Sequence, residues 1–319
     1  MKDLYVVTGG AGFIGSHLVE HLLGAGERVR VVDDFSSGTR SNLENARRAA
    51  GGSGELEVRD GSLADADFAD DAIRGASYVL HQAAIPSVPR SVAEPLRTHA
   101  ANATGTLNAL QAAKTHGVKR FVYASSSSAY GDTPTLPKVE TMPTSPLSPY
   151  AIQKLAGEQY ARVYHALYGL PTVCLRYFNV FGPRQDPASE YAAVVPKFIT
   201  AIHRGEQPVI FGDGGQTRDF CFIENTVHAN LLSCKAGDEA LGKAYNIACG
   251  ERISLVELVG LINGILGTSI EPLFAEPRPG DVRHSLADIG AARKLLGYEV
   301  KVSLEEGLGR TAAWFTGRS

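Results

Sequence analysis

Hydrophobic positions in the first 180 residues follow two alternating periods. Short β-branched and aliphatic runs predict strands at Leu4–Thr8, Arg28–Asp33, Leu56–Arg59, Tyr78–His81, Arg120–Ala124 and Thr172–Arg176. Between them, helix-compatible stretches span Phe13–Leu23, Arg40–Ala50, Ala66–Ile73, Pro95–His116 and Pro149–Tyr168. Strands alternating with helices predict a parallel sheet joined by right-handed crossovers. The cores of the first two strands are nearly continuous aliphatic runs, the pattern of a sheet covered on both faces. Gly51-Gly52-Ser53-Gly54 reads as a flexible loop, and Pro134, Pro137, Pro143, Pro146 and Pro149 mark a long irregular connection. Beyond residue 180 the alternation loosens, with helices expected near Ala192–Arg204, Asn225–Lys235, Ser254–Leu266 and Leu304–Phe315. The parse is α/β. A doubly wound parallel-sheet domain covers residues 1–180, with segments from about 216 to 250 returning to it. A smaller, interleaved C-terminal α/β domain covers most of 181–319.

Composition narrows the partners. A net charge of −3, from 34 acidic and 31 basic side chains, gives no electrostatic case for nucleic acid or anionic membrane. The basic run from Lys114 to Arg120 reads as a solvated helix end. No apolar stretch approaches the roughly 18 residues of a membrane span, and Met1 leads directly into the first strand rather than a signal-peptide core. Cys174, Cys221, Cys234 and Cys249 lie far apart without metal-ligand spacing, so the expectation is no metal and buried, reduced thiols in a cytoplasmic protein. The 34 glycines among 319 residues exceed the usual ~7%. They imply many tight turns or backbone brought close to a ligand.

One cluster of them has a clear address. Thr8-Gly9-Gly10-Ala11-Gly12-Phe13-Ile14-Gly15 follows the first strand and opens the first helix. Glycines at 9, 12 and 15 let backbone N–H groups and a helix N-terminus face a pyrophosphate without interference from Cβ atoms. Asp33 ends the second strand, 18 residues after Gly15. There a carboxylate accepts the ribose hydroxyls of an adenosine and repels a 2′-phosphate, which favours NAD over NADP. Arg40 stands near enough in sequence to soften that repulsion. Asp60, ending the third strand, is either a partner for the adenine amino group or an ordinary strand-end cap. The glycines alone would mean only a tight turn; strand, helix and acid together predict a dinucleotide site.

Two patterns on later strand ends carry chemistry. Ser125-Ser126-Ser127-Ser128-Ala129-Tyr130-Gly131 follows the fifth strand, at the sheet edge where open α/β proteins place ligands. Tyr150-Ala151-Ile152-Gln153-Lys154 opens a helix that Ser148 can cap and Pro149 can start. Positions i and i+4 share a helix face, so Tyr150 and Lys154 can address one ligand. A free phenol ionises near pH 10. A nearby ammonium and a cationic nicotinamide favour the phenolate, and a serine hydroxyl within reach can relay the proton. A lone Tyr-x-x-x-Lys occurs by chance; here the glycine turn upstream makes Tyr150 the expected catalytic residue.

With these elements stand His81-Gln82-Ala83-Ala84, Asn102-Ala103-Thr104-Gly105-Thr106, the run Arg176–Pro183, Gly215-Gln216-Thr217-Arg218-Asp219-Phe220 and Arg278-Pro279-Gly280-Asp281. Over nearly its whole length the chain resembles the extended short-chain dehydrogenase/reductase superfamily, and within it the nucleotide-sugar 4-epimerases. The resemblance implies a Rossmann-type fold and a bound NAD. It implies Ser126, Tyr150 and Lys154 as the catalytic group, with Lys154 also holding the cofactor ribose. It places NAD among Gly9, Gly12, Phe13, Ile14, Gly15, Asp33, Asp60, Gln82, Ala83, Asn102, Tyr150, Lys154 and Tyr177. A UDP-sugar substrate would meet Ser87, Ser126, Ser127, Tyr150, Asn179, Ala193, Val194, Lys197, Arg218, Arg278, Asp281 and Ser285. Arg218 and Arg278 suit a diphosphate bidentately and Asp281 suits ribose hydroxyls. Relatives that eliminate water carry an Asp-Glu pair after the catalytic serine or threonine, and decarboxylating ones carry a Glu. Ser127 and Ser128 stand there in this chain, which leaves oxidation and re-reduction at one carbon.

The resemblance also bears on the sugar. In the epimerases the position of Ser285 bounds the pocket beside the C2 substituent; tyrosine there restricts the pocket to glucose and galactose, and a small residue admits an N-acetyl group. The stretches Ser87–Ser91, Arg184–Pro187 and Tyr191–Lys197 resemble the subgroup preferring acetylated sugars. The expected reaction interconverts UDP-N-acetylglucosamine and UDP-N-acetylgalactosamine, with UDP-glucose and UDP-galactose also admitted. A small residue permits a bulky group without requiring it, so UDP-glucuronate 4-epimerisation stays as an alternative, as does a net redox or dehydratase reaction of the same superfamily. Finally, the stretches Pro95–His116 and Pro149–Tyr168 carry Leu107, Leu110, Ile152, Leu155, Val163 and Leu167 on more than one face. Such helices are buried by the domain or by a partner, and the resemblance implies a homodimer through them.

Overall fold

The computed structural model describes residues 2–52, 54–187, 193–277 and 282–317. Seven strands form one parallel sheet: β1 (Leu4–Thr8), β2 (Arg28–Asp33), β3 (Glu55–Asp60), β4 (Tyr78–His81), β5 (Arg120–Ser126), β6 (Thr172–Tyr177) and β7 (Lys243–Ile247), in the order β7-β6-β5-β4-β1-β2-β3. Every residue of β1 is buried, because alternate side chains enter cores on opposite faces. Val7, Val122 and Leu175 join one core, and Val6, Phe121 and Cys174 the other. This is the Rossmann-type doubly wound fold. The chain moves outward from β1 to β3 and then returns to β4 on the other side of β1, opening a crevice at their carboxyl ends.

β5 runs two residues past its predicted end. Ser125 and Ser126 read as loop by composition, yet they pair in register with Arg176 and Tyr177 of β6. The predicted helix Pro95–His116 is broken: Pro95–His99, a π-turn at Ala100–Thr104, then Gly105–Thr115, with a further helix at Val88–Ala93 before them. The π-turn presents Asn102 inward, where its carboxamide bonds the backbone of Ile85 and the side chain of Gln153. By contrast, α1 (Phe13–Gly24) and α2 (Pro149–Tyr168) fall where periodicity and caps place them. Ser148 accepts from the Ala151 N–H at 3.2 Å, and Gly169 in a left-handed conformation stops α2.

Residues beyond 180 divide between two places. Lys243–Ile247 adds to the sheet edge, a strand that periodicity does not reveal. Three short ladders form apart from the sheet: Asn179–Phe181 with Phe220–Phe222, Thr217–Arg218 with Ile253–Ser254, and Val209–Phe211 with Leu273–Ala275. Helices Val194–His203 and Leu255–Leu266 pack Phe198, Ile199 and Leu258 into the same core as Val122 and Leu175. The start of the expected helix Ala192–Arg204 lies outside the described residues. Among the described residues no helix is long and apolar enough to cross a membrane.

Candidate active site

The turn after β1 has no room for side chains. Gly9 has φ +65°, and a Cβ there would stand 2.7 Å from the Ala83 nitrogen; one on Gly15 would stand 2.1 Å from the Gly9 carbonyl. α1 then begins at Gly12 with no side chain capping it, so the N–H groups of its first turn and its dipole face the crevice. Asp33 is buried at the end of β2, where Oδ2 accepts from the Ala11 N–H (2.8 Å) and Oδ1 from the Phe35 N–H (2.9 Å). Burial raises its pKa above the ordinary carboxylate value despite those bonds. Each oxygen retains a lone pair for a ribose hydroxyl. A Cβ-free turn, an uncapped helix start and an acid at the neighbouring strand end fit an adenosine dinucleotide. Asp60 is held by Arg40 at 2.7 Å on the exposed rim, and that guanidinium lies 4.3 Å from the Phe35 ring. Arg40 therefore addresses Asp60, not Asp33. We expect Asp33→Asn to weaken NAD binding roughly tenfold, the loss of about one charge-assisted hydrogen bond, and to narrow discrimination against NADP; calorimetry with both cofactors measures this.

The catalytic candidates converge at the end of β5. Tyr150 opens α2, and its N–H donates to Ser91 Oγ at 3.0 Å, a second cap supplied by the helix Val88–Ala93. The Tyr150 phenol faces Ser126; burial raises its pKa, and the serine hydroxyl opposes the rise. Ser126 Oγ also accepts from the Ser128 N–H and hydroxyl, at 3.2 and 2.9 Å. One turn beyond Tyr150, buried Lys154 donates from Nζ to the Ala124 carbonyl at 2.5 Å and lies 5.1 Å from the Tyr123 ring. Burial lowers its pKa to about 7, so the site gains most by giving this ammonium an anionic or hydroxylic neighbour.

A supporting layer holds these groups. Glu158, one turn after Lys154, is fully buried and pairs bidentately with Arg176 (2.6 and 2.9 Å) while accepting from Ser125 Oγ at 2.8 Å. It thereby ties α2 to β5 and β6. His81 Nε2 lies 2.9 Å from Thr106 Oγ1, whose proton goes to the Asn102 carbonyl. The ring therefore donates from Nε2 and accepts at Nδ1 from Thr8 Oγ1, 2.8 Å away. Burial, then the charge of Lys154, holds His81 neutral with a pKa of about 3. Thr8 Oγ1 accepts in turn from the Ala83 N–H at 3.3 Å. Tyr177 bonds Gln82 and Asn230, at 3.1 and 2.7 Å. Asn102 commits both amide protons and one carbonyl lone pair to Ile85 and Gln153 and so shapes the loop following Gln82 and Ala83, with one lone pair left over. Ser91, His81, Glu158 and Asn230 escape sequence reasoning. Glu158 alone leaves a signal, as a third polar residue on the face of Tyr150 and Lys154.

Beyond β6 opens a cleft of about 590 Å³ in which Asn179, Ala193, Val194, Lys197 and Arg218 come together. Gln216 and Phe220 of the Gly215–Phe220 motif also line it, as do Phe211 and Leu255, which the sequence does not single out. Asn179 Nδ2 donates to the Asp219 carbonyl at 3.1 Å, and Arg218 Nη1 to the carbonyls of Thr217 (2.9 Å) and Arg283 (3.1 Å). The buried Asp219 carboxylate accepts from the N–H groups of Cys249, Gly250 and Ala287 and so fixes this wall; burial pushes its pKa up to about 7. Ser285 donates its N–H to the Thr217 carbonyl at 3.0 Å, one residue from Arg218. Ser87 caps the helix Val88–Ala93, accepting from the Arg90 N–H, and Ser127 begins the 3₁₀ turn after β5; neither these two nor Ser126, Tyr150 and Ser285 line the cleft. Arg278 and Asp281 lie outside the described residues.

A dinucleotide turn and a Ser-Tyr-Lys group at the carboxyl edge of one doubly wound sheet define the extended short-chain dehydrogenase/reductase class. Comparison with known proteins is more specific: the chain belongs to the NAD dependent epimerase/dehydratase family, whose model matches residues 5–248. It is 40% identical over 316 residues to UDP-glucose 4-epimerase of Mycolicibacterium smegmatis, covering 98% of this chain and 99% of that one. It is 35% identical to UDP-glucuronate 4-epimerase of Thermodesulfobacterium geofontis, over 97% of this chain and 95% of the relative. Among solved structures, UDP-N-acetylglucosamine 4-epimerase from Methanobrevibacter ruminantium, in complex with UDP-N-acetylmuramic acid, matches with a TM-score of 0.92 and 42% identity over the whole of both chains. The protein is an enzyme, an isomerase, and its cofactor is NAD.

Proposed function

We propose that this enzyme interconverts UDP-N-acetylglucosamine and UDP-N-acetylgalactosamine by inverting C4, and that it also accepts UDP-glucose and UDP-galactose. The observation carrying the reading is the Ser126–Tyr150–Lys154 group at the end of β5, where Ser126 pairs with Tyr177, two residues before Asn179 of the cleft that also gathers Lys197 and Arg218. Gly9, Gly12, Gly15, Asp33 and Lys154 would hold NAD, which when bound supplies a hydride acceptor at C4 that later returns the hydride, so no net redox change results. Tyr150 takes the C4 hydroxyl proton, directly or through Ser126, and the Lys154 ammonium stabilises the phenolate. Lys197 and Arg218 hold the anionic diphosphate while the 4-keto sugar turns over. Tyr150 then returns the proton. Firm grip on UDP with a loose grip on the sugar keeps binding energy remote from the reacting carbon.

Ser127 and Ser128 support epimerisation over dehydration, since neither supplies a carboxylate for a further elimination. For the sugar, Ser285 beside Thr217 and the 42% identical UDP-N-acetylglucosamine 4-epimerase favour the acetylated substrate. The test is activity toward UDP-N-acetylglucosamine, UDP-glucose and UDP-glucuronate side by side without added NAD. We expect the highest kcat/KM on the acetylated sugar; a preference for UDP-glucuronate would overturn the reading. Ser285→Tyr should lower kcat/KM for the acetylated sugar by roughly tenfold or more, an overpacking cost of about 1–3 kcal/mol, while sparing UDP-glucose.

We also propose a cytoplasmic homodimer. The four cysteines are free, as suits a reducing compartment. Leu96 is 85% exposed and Leu167 71%, and Val92, Ile152 and Val163 stand exposed with them on the 88–99 segment and α2. Two copies pairing these helices would cover that face. We expect light scattering at micromolar concentration to give twice the chain mass, and Ile152→Asp to give the monomer.

A further inference from the structure

We propose that Arg184 and Glu20 form the link through which bound NAD and the bound nucleotide sense each other, a positioning role that rests on the function proposed above. Asn179, Val180 and Phe181 line the cleft. The chain then leaves it and runs against α1, the helix whose N-terminus faces the cofactor crevice. Three contacts hold it there. His17 Nε2 lies 3.0 Å from the Pro183 carbonyl, which can only accept, so the ring donates. The Arg184 guanidinium pairs with the Glu20 carboxylate and reaches Ser16 Oγ at 3.5 Å. Gln185 Nε2 turns back to the Val180 carbonyl at 3.2 Å.

The arrangement carries features that fold stability alone does not require. Arg184 is a non-glycine residue at φ +65°, a strained left-handed conformation that persists only where its surroundings over-determine it. Its side chain is 5% exposed, and its Nε is buried with no hydrogen-bond partner among the described residues. Burial and the neighbouring guanidinium keep His17 neutral, with a pKa of about 4, so Arg184 is the cation of this contact. Ser16 and Glu20 lie one and two turns into the helix that begins at the glycine turn. A shift of α1 on cofactor binding therefore moves the Arg184 anchor and, through it, the cleft wall at Asn179–Phe181. Linkage makes the effect reciprocal.

The test uses the NAD-loaded enzyme. NAD release after dilution is followed with and without saturating UDP, alongside calorimetric UDP affinity and thermal melting. In the native enzyme UDP should slow NAD release by about fivefold or more, the lower end of common coupling. In Arg184→Ala and Glu20→Gln that ratio should approach one, and Arg184→Lys should keep part of it. A native ratio of one, or variants that melt earlier yet keep the native ratio, would overturn the link while leaving the epimerase reading intact. Failure of UDP to bind the native enzyme would overturn both. Glu20→Gln, on the more exposed partner, guards against a misfolded Arg184 variant.

Discussion

Tyr150→Phe should lower kcat for epimerisation by about 10²–10⁴-fold, the range a positioned general acid–base supplies. The substitution keeps the ring and its packing. It also keeps the start of α2, because the bond to Ser91 comes from the Tyr150 backbone and the Ser148 cap lies outside the side chain. What it removes is the hydroxyl that faces Ser126, one helical turn before Lys154. The melting temperature and KM for the UDP-sugar should therefore change little while turnover collapses. Epimerase rates and a thermal melt on the same preparation decide the matter; a folded variant with near-native turnover would remove Tyr150 from the chemistry.

The second large effect concerns stability. Glu158→Ala should cost about 3–5 kcal/mol, because it leaves the Arg176 guanidinium buried without its counter-ion. Arg176 is as deeply buried as its partner, and its other contacts are the face of the Tyr130 ring and a long bond to the Glu140 carbonyl; neither replaces a bidentate carboxylate. Removing both charges with Glu158→Leu and Arg176→Met should bring stability back close to native, since hydrophobic replacement of a whole buried pair is often neutral. Denaturant midpoints of the three proteins test this. A single variant as stable as the native enzyme would mean that Arg176 finds another partner. The double variant should still turn over more slowly, since Ser125, next to Ser126, and Arg176, next to Tyr177, lose their common tether.

How far the sequence could be read depended on where each signal sits. β1 is legible because burial on both faces leaves a continuous apolar run, β2 because Val29, Val31 and Val32 supply its buried positions, and α2 because Ser148, Pro149 and Gly169 mark both its ends. Ser125 and Ser126 misled in the other direction: polar residues continue a strand when a neighbour offers ladder bonds, and composition does not report neighbours. The break at Ala100–Thr104 escaped notice for a similar reason, since it serves the contact of Asn102 with Ile85 and Gln153. In the site, the glycine turn and the Tyr150/Lys154 pair are contiguous motifs with their own physical logic. Ser91 under Tyr150, Asn230 beside Tyr177 and Glu20 against Arg184 bridge 53 to 164 residues, and no local period encodes such a contact.

The placement of β7 has a consequence for synthesis. It closes the sheet edge beside β6 only after residue 247 is made, so a nascent chain that has completed β6 presents Thr172–Tyr177 with an open hydrogen-bonding edge while some 70 further residues emerge. The first 180 residues carry the glycine turn, Ser126, Tyr150 and Lys154, yet made alone they would keep that edge bare permanently. Sequence-level domain cutting at this point would therefore yield an aggregating fragment in place of a separable cofactor module.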